Sequence, residues 1–349
     1  MKAAARPTAS VELTPNARRT LMRTVILLSW AIVAVLTVLF ATGLKVSEPV
    51  QYAPFVLSLV FFGLPHGAVD HLVPGRLRGR VTIQSIVGVA VLYATLAAAY
   101  LTFWSVAPVA AFGFFILLTW FHWGQGDLYS QIAFLGGQYP APVSLKVLMV
   151  VVRGGLPMLI PLLAFPDVYR EVAGSIVSLF SGSGGLTWVF NPLFRFGTGS
   201  VFLTLVLCTF IWSYRSSGHN DKTAWTLDAA EVGLLAAYFA LVPPILALGL
   251  YFCLWHATRH IARLMLLNPR SCAALQKGAF LPALRDFARD AAPLTVVALA
   301  LLVGFYLLAP GSVQGLTGFL AVYLILISVL TLPHVVVVAL MDRRQGLWR

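Results

Sequence analysis

The residues able to do chemistry fall into four short stretches: GLPHGAVDH at 63–71, TWFHWGQGD at 119–127, CLWHATRH at 253–260 and LPHVVVVALMD at 332–342. They carry His66, His71, His122, His256, His260 and His334, leaving only His219 elsewhere. His256 and His260 are four positions apart, so on a helix both imidazoles leave one face about 6 Å apart at Cβ, the spacing by which one helix gives two ligands to one metal. Two polar residues packed in an interior would share that spacing, but three further histidine-bearing stretches favour a metal. His66 and Asp70 repeat the interval, which lets the carboxylate accept from the ring nitrogen of His66 that faces away from an ion. Asp70 reads equally well as a helix-end carboxylate beside basic residues. His71 lies about 140° further round the helix from His66 and is expected at a helix end or behind the ligands. His122 stands in an aromatic collar of Trp120, Phe121 and Trp123, followed by Gly124 and Gly126, which permit close backbone approach. His334 follows Pro333, where a kink would point it inward, and reads at least as well as an interior hydrogen-bond donor. His219, in a polar loop, has no expected role.

An all-imidazole set of about four ligands suits Fe, Cu, Zn or Ni. The chain contains no HExxH, which argues against a zinc protease. One layer of histidines spread over several helices also fits a single ion better than a bis-histidine haem. Iron with open positions for O2 is the preferred reading, because a site sunk among apolar residues points to an apolar substrate that lacks hydrolysable bonds.

The composition says what must position these residues. Of 349 residues 59% are apolar and 10% charged, against about 45–50% and about 25% in soluble domains. The expected fold is all-α, a polytopic membrane bundle with spans near 24–44, 51–73, 82–104, 107–128, 145–165, 196–214, 228–243, 244–267, 291–309 and 316–340. The run from Thr24 is too long for a signal-peptide core and reads as a retained span. Residues 167–195 are expected to form an interfacial helix and then a Gly/Ser loop at Ser181–Gly185. The domain layout is a disordered tail at 1–22, one transmembrane domain at 23–342 and a short basic tail at 343–349. Arg76, Arg78, Arg80, Lys146, Arg215, Lys222, Arg270, Lys277, Arg285, Arg289, Arg343, Arg344 and Arg349 all fall on the N-terminal side of that layout, with little beyond Lys45, Arg170 and Arg195 opposite. Positive residues stay inside, so both termini are expected in the cytoplasm of a cell-membrane protein. The net charge of +12 then needs only an anionic inner leaflet and no nucleic acid. Cys208, Cys253 and Cys272 show no metal, haem or disulfide spacing.

Depth ties the stretches together. His66 precedes Arg76 by ten positions and His334 precedes Arg343 by nine, roughly 14–15 Å of helix in both cases. The four stretches therefore share the cytoplasmic half of the membrane, where ionisable groups mark a site. Arg259 is expected to point away from the metal toward headgroups or an acid such as Asp127, and Glu231 to serve helix packing or to stand behind the site.

GLPHGAVDH, FHWGQGD, WHATRH and the final LPH resemble the motifs of the Brp/Blh family of membrane β-carotene 15,15′-dioxygenases, and the likeness extends from about Pro54 to Asp342. The resemblance implies iron(II) held by His66, His122, His256 and His260. It also implies symmetric cleavage of the central double bond of all-trans-β-carotene by O2 into two all-trans-retinal molecules, with a rhodopsin as a partner able to receive retinal. Asp70, Asp127, His71 and His334 would stand behind the ligands. An apolar tunnel, with Trp120, Phe121, Trp123, Tyr251, Phe252 and Trp255 as candidate lining residues, would take a substrate about as long as the hydrocarbon is thick and admit it sideways from lipid. Two other functions compete. A histidine-rich lipid desaturase or hydroxylase would want two irons and HxxHH boxes, which the sequence lacks. A transporter or proton relay would spread its histidines across the membrane rather than gather them at one depth.

Overall fold

The computed structural model describes residues 13–135, 142–180, 185–217, 222–308 and 315–348. His219 and most of the Ser181–Gly185 loop lie outside the described residues, as do residues 1–12 of the expected tail. The described chain is helical: α1 (Pro15–Ala41), α2 (Glu48–Leu77), α3 (Ile83–Val106), α4 (Pro108–Ala133), α5 (Val143–Ala164), α6 (Pro166–Ser178), α7 (Pro192–Ser216), α8 (Lys222–Leu241), α9 (244–267), α10 (Pro269–Gln276), α11 (Phe280–Leu308) and α12 (Gly315–Gln345). The described chain enters its first helix at Pro15, capped by the Thr14 hydroxyl, earlier than the boundary at residue 22.

Eight of these helices, α1, α2, α3, α5, α7, α8, α11 and α12, are long and apolar enough to cross a membrane. The other two of the ten expected spans coincide with α4 and α9. Each has the length of a crossing, but the polar residues that make them chemically interesting dilute their apolarity. Stretch 166–178 forms the expected amphipathic helix, burying Ala173, Ile176 and Val177.

Small residues set the tightest packing. At Gly124 of α4 a Cβ would lie 2.1 Å from the Val150 carbonyl oxygen of α5, and at Gly154 of α5 one would lie 1.9 Å from the Trp120 carbonyl oxygen of α4. The two backbones can touch only because both glycines lack that atom. α8 packs on α5 and α1, while α12 packs along α3.

The histidine-bearing backbone is irregular in two places. α2 breaks at Phe62 (φ −134°, ψ −58°), restarts over Gly63–Ala68 and turns again at Val69 (φ −93°, ψ 1°) into a single 3₁₀ turn, Asp70–Leu72. Gly63 is required at the first break, since a Cβ there would lie 2.6 Å from the Phe252 ring and 2.8 Å from the Tyr323 hydroxyl. α9 winds as a π-helix over Tyr251–Ala257, a local form enriched at functional sites.

Candidate metal centre

Five histidines from four helices meet in one place. His66 comes from the short restart of α2, His122 from α4, His256 and His260 from α9, and His334 from α12, and each is at most 7% exposed. The Nε2 atoms of His122 and His256 face one another at 3.1 Å. Ring centroids are 4.7 Å apart for His122–His256, 4.8 Å for His122–His334, 5.0 Å for His66–His334 and 5.1 Å for His260–His334. They are 5.6 Å apart for His66 with both His256 and His260, 6.2 Å for His122–His260 and 6.5 Å for His256–His260.

One ring nitrogen each of His66, His122 and His334 lie within 4.8 Å of one another, as ligands of one ion would, and His256 joins them through its 3.1 Å approach to His122, while His260 groups with His334 and Asp70. Imidazoles whose nitrogens lie about 2.1 Å from a metal have centroids about 4.6 Å apart as right-angle neighbours and about 6.5 Å apart as opposite ligands, with neighbouring nitrogens about 3.0 Å apart. Hydrogen bonding points the same way. His66 Nδ1 donates to the Phe62 carbonyl at 3.2 Å, which leaves the Nε2 lone pair free. His260 Nε2 and His334 Nε2 are buried with no partner among the described residues, a state that costs about 1–3 kcal/mol per group unless something binds there. The donor set is neutral, nitrogenous and thiolate-free, the kind that suits a borderline first-row ion.

Asp70 departs from expectation. Its carboxylate does not reach His66 but accepts from His334 Nδ1 at 2.7 Å and from the Tyr93 hydroxyl at 2.5 Å. The turn at Val69 is the reason: it breaks the helical register that would have placed residues 66 and 70 on one face. Asp127 also departs, since it touches none of the five histidines. It accepts from Trp255 Nε1 at 3.0 Å and pairs with Arg153 and Arg259, each at 3.1 Å. His71 donates to the Ala68 carbonyl at 3.0 Å, as a turn residue outside the cluster. Arg259 does point away from the cluster to Asp127, with its guanidinium 3.7 Å over the Trp255 ring.

That pairing belongs to a larger buried charge cluster. Arg153 of α5 meets Asp127, Asp228 (2.8 Å) and Glu231, and Arg259 meets Glu231 at 2.9 Å. Gln131 and Trp30 donate to Glu231, Trp30 at 2.5 Å. Arg153 and Asp228 were missed in the sequence, although an arginine inside the apolar run VVVRGGLP signals a buried partner.

A cavity of about 680 Å³ opens from the cluster, lined by His66, His122, His256 and His334 together with side chains from α3, α11, α12 and the buried face of α6. Of the candidate tunnel residues, Trp123 and Phe252 line it, stacked 6.1 Å apart. The others do not. Trp120 turns to the Val151 carbonyl and the Phe202 ring, Phe121 faces outward, and Tyr251 and Trp255 are fully buried on the far side of α9, Trp255 against the charge cluster. On α9 Tyr251 and Trp255 share one face and Phe252 and His256 the next, and only the second pair meets the cavity.

Matches to known proteins span the stretch of chain that holds these residues. Residues 57–342 match the family described as beta-carotene 15,15′-dioxygenase. The chain is 42% identical over 343 residues to a probable beta-carotene 15,15′-dioxygenase, Blh, of Halobacterium salinarum, covering 98% of this chain and 99% of that one. It is 32% identical over 361 residues to a second protein of that organism, the probable beta-carotene 15,15′-dioxygenase Brp, covering 96% of each. A beta-carotene 15,15′-dioxygenase of an uncultured marine bacterium is 25% identical over 211 residues, 58% of this chain and 66% of that one. No solved structure matches.

Proposed function

The chain belongs to the beta-carotene 15,15′-dioxygenase family of enzymes, and from that premise we propose that it cleaves the central double bond of all-trans-β-carotene with O2 into two all-trans-retinal molecules, using iron(II) held by His66, His122, His256 and His260. The observation that carries this reading is a buried imidazole cluster forming one wall of an apolar cavity. Iron bound there supplies the redox chemistry that makes O2 reactive toward a conjugated alkene.

The rest falls to the chain itself. The Phe62 carbonyl holds His66 in the tautomer that turns Nε2 inward. Trp123 and Phe252 offer flat faces to a polyene beside His256. The cavity volume of about 680 Å³ lies within the roughly 300–1,000 Å³ of small-molecule sites, and its largely apolar lining excludes water from the cleavage point. With so little polarity in the substrate, shape must supply the selectivity.

Access from the bilayer is supported by residues that face both ways. Ala90 and Ala94 on α3, and Leu294, Val297 and Leu301 on α11, line the cavity and are exposed. The partly exposed residues Leu324, Ile327 and Thr331 of α12 form the floor between those two walls. A lipid-dissolved substrate would enter through this groove without crossing water. We place the enzyme in the cell membrane with both termini and the metal centre toward the cytoplasm, on the charge distribution of its loops, and regard a retinal-binding rhodopsin as the natural recipient of product.

Expression in a bacterium that accumulates β-carotene tests the reading. Orange colour should fade as retinal appears, only in air. Persistent colour with well-expressed, iron-loaded protein would overturn it.

A further inference from the structure

We infer that His334 is a fifth imidazole ligand of the metal centre, held in its tautomer by Asp70, which Tyr93 in turn anchors; this rests on the iron-site reading above. The ring of His334 lies 5.0 Å from that of His66, 4.8 Å from His122 and 5.1 Å from His260. Among the four histidines already assigned only the His122–His256 pair, at 4.7 Å, is closer. One ring nitrogen each of His66, His122 and His334 lie within 4.8 Å of one another. The Nδ1 of His334 donates to Asp70 at 2.7 Å, so its Nε2 carries the lone pair, and that Nε2 is buried with no partner among the described residues. A histidine kept only to satisfy Asp70 would have no reason to aim a bare lone pair at other imidazoles.

Asp70 supplies an independent argument. It is 1% exposed, and its only ion-pair partner among the described residues is His334. A buried carboxylate without a cation is costly, whereas one that accepts from a metal-bound imidazole sees the ion's charge through the ring and fixes the ring's orientation. The Tyr93 hydroxyl on the same oxygen at 2.5 Å holds the carboxylate in place.

The test uses the full-length protein in lipid nanodiscs, stripped of metal and titrated anaerobically with Fe(II) alone. His334→Ala should bind Fe(II) about a hundredfold more weakly than wild type, and free imidazole, which fits the space left by the ring, should recover most of that loss. Asp70→Asn should weaken binding about ten- to a hundredfold, with the melting of the metal-free protein near that of wild type. If His334→Ala fails to fold, His334→Gln and Asp70→Asn carry the measurement. Fe(II) binding as tight as wild type in the His334 variants, or a loss that imidazole does not recover, would overturn the assignment while leaving the four-histidine site standing. Absence of Fe(II) binding by the wild-type protein would sink the iron reading itself, and this inference with it.

Discussion

Replacing Gly124 with alanine should cripple the enzyme through a single methyl group. The new Cβ would sit 2.1 Å from the Val150 carbonyl oxygen and 2.8 Å from its carbon, whereas ordinary contact begins near 3.4 Å. Because the obstacle is backbone, no rotamer change relieves it, and α4 and α5 must part by on the order of 1 Å. Overpacking of this kind costs about 1–3 kcal/mol, and the better helix propensity of alanine returns only about 0.5–1 kcal/mol. The larger consequence falls on the site. His122 is two residues away on the same helix and meets His256 at 3.1 Å, so a shift of this size loosens the imidazole cluster. Misplacing a reacting group by about 1 Å costs about a hundredfold in rate. Gly113→Ala is the matched control, on the same helix but with nothing within 4 Å of its Cβ. Retinal formation at saturating carotenoid, together with iron content, should fall about a hundredfold in rate for Gly124→Ala and stay at wild-type level for Gly113→Ala. Equal behaviour of the two variants would refute the claim that backbone contact between α4 and α5 sets the geometry of the site.

Arg153→Met removes the guanidinium that contacts three carboxylates and should destabilise the protein by about 3–5 kcal/mol; adding Asp228→Asn should recover part of the loss, and thermal melts of both variants check this. Ala94→Trp narrows the groove between α3 and α11 and should raise KM for β-carotene about tenfold, equivalent to about 1.4 kcal/mol of lost binding, with iron content unchanged; an unaltered KM would rule out entry there. Phe121→Ala, on the outward face, should leave turnover within about twofold, whereas Trp123→Ala, at the cavity wall, should lose both stability and turnover, with a truncation cost of about 3–5 kcal/mol. A chelator should abolish retinal formation, and activity should return with Fe(II) but not with Zn(II), which has no redox chemistry.

What could be read from the sequence was whatever depends on an unbroken helix. His256 and His260 share one run, and their convergence with His66 and His122 follows from depth and face. Asp70 could not be placed, because its direction depends on two backbone breaks, at Phe62 and Val69, that a periodic reading assumes away. His334 was placed behind the ligands because its ring joins the others from a helix distant in sequence, and the aromatic run at 251–255 gave no sign of which of its faces meets the cavity. Arg259 and Asp127 were paired correctly because each was the other's nearest plausible counter-charge at that depth. Arg153 escaped notice because a lone cation in an apolar run draws less attention than a histidine motif, although it joins more acids than any other residue of the cluster.

The hydrogen bond from Trp30 to Glu231 bears on how the polypeptide reaches the membrane. The segment that carries Asp228 and Glu231 emerges from the ribosome after Trp30 and Arg153 but before Arg259. Two carboxylates in hydrocarbon each cost about 2.5–3.5 kcal/mol on insertion scales, so this segment is a poor candidate for independent partitioning from the translocon. Arg153, earlier in the chain, already offers a cation to both carboxylates, and Arg259 completes the pairing of Glu231. α1, upstream of residue 57 where the family match begins, is thereby tied through Trp30 to the acids of α8.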